Sequence, residues 1–81
     1  MNICFFTGKI ISTINFKFIV NNNKYYAITI FEIELNNKSV ITVKGYNEIA
    51  DWCYRYLVKG DIISIYGEIN SNLEIILLDI Q

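Results

Sequence analysis

Apolar and polar residues alternate with a period of two along most of this 81-residue chain, and the alternation yields once to a helical period, between Asn47 and Gly60. From Ile3 to Ile11, Cys4, Phe6, Gly8 and Ile10 share one face of a strand and Ile3, Phe5, Thr7 and Lys9 the other. Both faces are partly apolar, as expected of a strand that lines a core on one side and meets a neighbour on the other. Gly8 marks a close backbone approach or a bend. The alternation continues from Ser12 through Ile14, Phe16 and Phe18, set against Asn15 and Lys17, and breaks at Asn21-Asn22-Asn23, residues that tolerate the left-handed conformation of a turn. Lys24 to Leu35 alternates again, with Ala27, Thr29, Phe31, Ile33 and Leu35 opposite Tyr26, Ile28, Ile30, Glu32 and Glu34. The second set changes from apolar to acidic, so one end of that face is covered and the other wet.

Asn36-Asn37 predicts a tight hairpin, and Lys38 to Lys44 returns with Ile41 and Val43 inward and Lys38, Val40, Thr42 and Lys44 outward. Gly45 lets the chain leave this third strand for a helix over about residues 47–59. There Ile49, Trp52, Cys53, Tyr56 and Leu57 form one apolar stripe, with Asp51, Arg55 and Lys59 opposite. Asn47 suits the N-cap, Glu48 the positive end of the dipole, and Gly60 the stop. Asp61 to Ile69, a turn at Asn70-Ser71-Asn72 and Leu73 to Ile80 supply two more strands. The expected fold is therefore all-β: one domain over residues 1–81, a five-stranded Greek-key barrel of the oligonucleotide/oligosaccharide-binding (OB) type, with one helix between strands three and four.

Composition adds two constraints. Hydrophobic residues make up 53% of the chain against 19% charged, a high ratio for so small a surface, and a chain of this size gains little stability from burial alone. Part of the apolar excess is expected to face another subunit, and the strand-face set Ile3, Phe5, Thr7, Ser64 and Tyr66 is the candidate oligomer interface for a dimer or tetramer. No apolar run approaches the roughly 18 residues of a membrane span, and no signal peptide is evident. A membrane partner is not expected. Phe, Tyr, Met, Ile, Asn and Lys fill more than half of the positions. Those residues have AT-rich codons, which points to an organelle or an AT-rich bacterial genome.

The chemistry of catalysis is missing from the sequence. It has no histidine, no nucleophile motif, no glycine-rich phosphate loop and no paired carboxylates at a useful spacing, so neither an enzyme nor a cofactor is expected. Cys4 and Cys53 match no metal spacing and sit on apolar faces, which suits buried thiols. The net charge of −1 argues against simple electrostatic coating of nucleic acid.

Four blocks resemble bacterial-type single-stranded DNA-binding proteins, most closely the shortened versions of algal plastids and cyanobacteria. They are Asn2 to Ile10 with its mid-strand glycine, Val40 to Tyr46, Tyr56 to Asp61 (Tyr-Leu-Val-Lys-Gly-Asp), and Ile63 to Ile69 (Ile-Ser-Ile-Tyr-Gly-Glu-Ile). The resemblance implies single-stranded DNA binding in replication or repair, in a plastid stroma or the cytoplasm of an AT-rich bacterium. It also implies that bases stack on third-strand aromatics and on long arms, whereas here the outward positions Lys38, Val40, Thr42 and Lys44 carry no aromatic. The arms shrink to Asn36-Asn37 and Asn70-Ser71-Asn72, and losing two stacking platforms weakens binding about 100-fold.

The remaining candidates are Lys38, Thr42 and Lys44 for phosphate contacts, with Tyr25, Tyr26 and Tyr46 as stacking surfaces beside Lys24 and Lys44. A solvated strand face accounts equally well for the lysines. Phe16 and Phe18 around Lys17, and Trp52 on the helix stripe, suit core packing better than ligand contact. The rival functions are an OB-type interaction module that has lost its binding arms, and a primosome-like dimer that binds single strands through short loops.

Overall fold

The computed structural model describes residues 2–81 as six strands and one helix: β1 (Ile3–Ile10), β2 (Asn15–Asn21), β3 (Lys24–Glu34), β4 (Val40–Tyr46), α1 (Glu48–Tyr56), β5 (Ile62–Ile69) and β6 (Ile75–Ile80). The strand order is β1-β5-β6-β4-β3-β2, and β1 also pairs with β3 at Lys9↔Glu34 and Ile10↔Ile33. That second pairing closes the sheet into a barrel.

The extra strand comes from dividing the expected first one. Between Ile11 and Ile14 the chain bends. Ser12 holds the bend, its hydroxyl accepting the Glu32 N–H at 2.8 Å while Ile11 N–H donates to the Glu32 carbonyl at 3.0 Å. Beyond the bend β2 follows β3 outward, from Asn15↔Ile30 to Asn21↔Lys24. β1 and β2 are thus two pieces of one bent strand, and the five-stranded OB topology is retained. Pairing of β3 with β4 starts only at Ile28↔Tyr46, so residues 18–27 project past the barrel as a two-stranded ribbon.

Ile10, Phe31, Ile33, Val43, Ile63, Ile65, Ile75 and Leu77 fill the interior, together with Cys53 and Leu57 from the helical segment. Closure depends on Gly8. A Cβ there would stand 2.7 Å from the Glu34 carbonyl oxygen, which no side chain tolerates. Gly67 meets the same limit against the Ile76 carbonyl, at 2.7 Å, beside the bulge that separates Tyr66 from Gly67 in the β5–β6 ladder.

The helix is shorter than residues 47–59 and is turned about its axis from the expected stripe. Ala50, Cys53 and Leu57 are buried, while Trp52 is 44% exposed and packs against the exposed Tyr56, the rings tilted by 45° with centroids 5.3 Å apart. Ala50 accounts for the difference. Its small side chain lets the helix sit close against the barrel on that side, and the two large rings are left on the flank. Burial raises the Cys53 thiol pKa to about 12. Asn47 does not cap with its side chain; it lies at φ 57° with its N–H on the Ala27 carbonyl at 2.8 Å. Asp51 and Arg55 pair at 2.9 Å on the solvated face. Among the described residues no helix is long and apolar enough to cross a membrane.

Candidate nucleic-acid interface

Turn chemistry decides which side chains share a face. Asn22 and Asn23 both have positive φ, 50° and 64°, the signature of a two-residue hairpin turn whose twist matches its strands. That turn fixes Lys17 opposite Ile28 and Ile19 opposite Tyr26. The β3–β4 register then sets Ile28 opposite Tyr46 and Ile30 opposite Lys44. One outer face therefore carries the row Lys17, Ile28, Tyr46, flanked by Tyr26 and Lys24 toward the ribbon tip and by Lys44 toward β6. Ile28 is only 4% exposed although it lies on this outer face. Beside it a shallow groove of about 310 Å³ is lined by Asn15, Phe16, Lys17, Ile28 and Ile30. Lys17, Lys24 and the two tyrosines beside an apolar floor make an arrangement that can take phosphates and stack bases.

Lys44 is not free on this face. Its Nζ lies 2.9 Å from Glu74 Oε2, and its side chain is 25% exposed. Glu74 is itself fixed by Asn70, whose Nδ2 donates to Oε1 at 3.0 Å while its Oδ1 accepts the N–H groups of Asn72 and Glu74. The hydrogen bonds from Asn70 and from Lys44 hold the Glu74 carboxyl below the usual carboxylate range.

The other expected residues do not join the cluster. Lys38 is not on the strand: it closes the turn after Leu35 with φ 71°, its Nζ 3.9 Å from Glu34 Oε1. Thr42 does lie on the outer face of β4, but opposite Glu32 at the acidic end. Tyr25 points away from Tyr26, because neighbours in a strand face opposite ways. It is 75% exposed and pairs in register with Val20. That second face of the ribbon also carries Phe18, exposed rather than core, and at its base Phe16 meets Phe18 edge-on at 5.4 Å and lies tilted by 34° against Tyr54 of α1 at 5.0 Å. Lys17 is the residue that reasoning from sequence missed. Counting back from a two-residue turn at Asn22-Asn23 places it beside Ile28 and away from the two phenylalanines.

The candidate interface residues do come together. Phe5 faces Tyr66 across β1 and β5 with ring centroids 4.8 Å apart, Thr7 and Ser64 share a hydrogen bond of 2.8 Å, and Ile3 and Ile62 extend the exposed strip.

No known family model matches the chain, and no curated protein is similar to it in sequence. Solved structures are similar in fold. The SSB domain of a protein from Synechococcus sp. superposes with a TM-score of 0.87 at 11% identity, covering 100% of this chain and 94% of that one. The small single-stranded DNA-binding protein of Streptomyces coelicolor gives 0.71 at 15% identity, with 100% and 93% covered. The single-stranded DNA-binding protein from Thermus aquaticus gives 0.76 at 19% identity, and this chain spans 39% of its length. The fold is that of bacterial-type SSB domains.

Proposed function

We propose that this protein binds single-stranded DNA weakly and without sequence preference, along the β2–β3–β4 face, in support of replication or repair in a plastid or an AT-rich bacterium. The observation that carries the reading is that Lys17 and Lys24 share one face with Tyr26, Tyr46 and the apolar Ile28, with Lys44 held beside them by Glu74, on a barrel of the SSB fold. Lysines on such a face contact phosphates, which gives orientation without reading bases, and the tyrosines stack on any base. The same geometry supports weak rather than tight binding. Glu74 occupies Lys44, and Glu32 and Glu34 at the acidic end of the face disfavour phosphate. The Phe5–Tyr66 strip serves self-association, most simply as a two-fold dimer, since an isologous contact needs a self-complementary patch.

The test is fluorescence anisotropy of a labelled oligothymidine at low and moderate salt. Binding should weaken steeply with salt, and Tyr26→Ala and Tyr46→Ala should each cost about 1–3 kcal/mol with little change in the salt slope, since stacking displaces no counterions. Tyr25→Ala should leave affinity nearly unchanged. An OB-fold interaction module that has lost nucleic-acid binding is the second reading, and the ion pair that occupies Lys44 favours it. Absence of binding at low salt decides for it.

A further inference from the structure

Where α1 meets the end of β6, a cleft of about 350 Å³ is lined by Glu48, Ile49, Trp52, Asp79 and Ile80. Its chemistry differs from that of the basic face. Two exposed carboxylates, Glu48 and Asp79, stand beside an indole that is 44% exposed, and two isoleucines supply apolar wall. Trp52 is braced by its contact with Tyr56, so its ring is held at the edge of the cleft. No basic residue lines it: Arg55 is engaged by Asp51 at 2.9 Å. Asp79 is anchored at its own backbone, its Oδ1 accepting the Ile80 N–H at 2.8 Å.

We infer that this cleft takes an arginine side chain from a basic segment of a protein partner. The planar guanidinium stacks on the Trp52 indole, its N–H fork reaches the carboxylates of Glu48 and Asp79, and its apolar stem lies on Ile49 and Ile80. Complementary charge selects the occupant. Phosphate is repelled by both carboxylates, and a purely apolar segment would leave them desolvated and unpaired. Lysine can enter, but its compact ammonium lacks the flat face that matches an indole. The site is independent of the DNA reading, since none of its lining residues belongs to the basic face.

Trp52 is the only tryptophan, so intrinsic fluorescence of the whole chain reads the site directly. Titration with a blocked arginine-glycine peptide should change the emission saturably, with the lysine version weaker and a glutamate version silent. Glu48→Gln with Asp79→Asn should weaken binding by about tenfold or more, the loss expected when both charge-assisted contacts go. Both residues are exposed, and the amide introduced by Asp79→Asn would keep the oxygen that accepts the Ile80 N–H, so circular dichroism should show an unchanged fold. Trp52→Leu, followed by amide shifts in place of fluorescence, should weaken binding about three- to tenfold. The inference is overturned if the arginine peptide gives no change, if the glutamate peptide acts equally, or if the double variant binds as before. It is also overturned if oligothymidine competes for the cleft, or if the emission changes with protein concentration alone in step with sedimentation, which would make a second copy the occupant.

Discussion

Replacing Glu74 by Gln should turn Lys44 from a spectator into a phosphate contact. The carboxylate is held on both oxygens, by Asn70 at 3.0 Å and Lys44 at 2.9 Å, and glutamine retains an oxygen for Asn70 while losing the charge that occupies the lysine. Each phosphate contact on a single strand contributes about 0.7 to the logarithmic salt slope. Referred to molar salt, one added contact then strengthens binding about eightfold near 50 mM salt and about threefold near 200 mM. The assay is oligothymidine anisotropy across a salt series for the wild type, Glu74→Gln, and Glu74→Gln with Lys44→Gln. The single variant should steepen the slope by about 0.7, and the double should return it to the wild-type value. An unchanged slope in Glu74→Gln would place Lys44 off the path of the strand, and persistence of the steeper slope in the double variant would trace the effect to repulsion by Glu74 itself. The folded carboxyl titrates below its ordinary value of 4.5, so the pair's contribution to stability is present above that pH and is lost as pH falls through the lower folded value. Binding near neutral pH should accordingly show no pH step from this residue.

The other expectations concern the rest of the face, the self-contact, the barrel seam and the core thiol. Lys17→Ala with Lys24→Ala should lower the salt slope by about 1.4, whereas Lys38→Ala, on the far turn beside Glu34, should barely move it. Phe5→Glu should dissociate the proposed dimer in sedimentation without unfolding the chain, because Phe5 is half exposed; a monomeric wild type at high concentration would remove that interface. Gly67→Ala should destabilise the fold by about 1–3 kcal/mol in urea unfolding, since its Cβ has no room beside Ile76; a neutral result would mean that the β5–β6 bulge relaxes freely. The buried Cys53 thiol should resist an aromatic disulfide reagent at mildly alkaline pH in the native state and react once the chain is unfolded, with Cys4 more accessible. Equal native rates for the two would show that α1 opens readily.

The barrel was legible because period-two alternation, Gly8 and one helical segment leave few topologies, and the inner faces of β1, β3 and β4 read as they fold. What was not legible depended on counts of one or two residues. The sequence shows a three-asparagine tract, but only Asn22 and Asn23 form the turn, and that count alone decides that Lys17 stands beside Ile28 and that Tyr25 faces away from Tyr26. Lys38 was misplaced for the same reason: its left-handed φ assigns it to the turn, so the outward row of β4 begins at Val40. Lys44 was correctly placed on the outer face but not recognised as paired, because Glu74 arrives from the parallel β4–β6 contact at Val43↔Ile75, thirty residues along the chain. Trp52 illustrates the helical counterpart. An apolar stripe predicts which side of a helix is buried to within about one residue, and the smallest side chain on it decides which edge approaches closest. With Ala50 in the contact, the two largest rings had to go to the flank, and the tryptophan that the stripe assigned to the core became the wall of a cleft that carries charge of the opposite sign to the basic face.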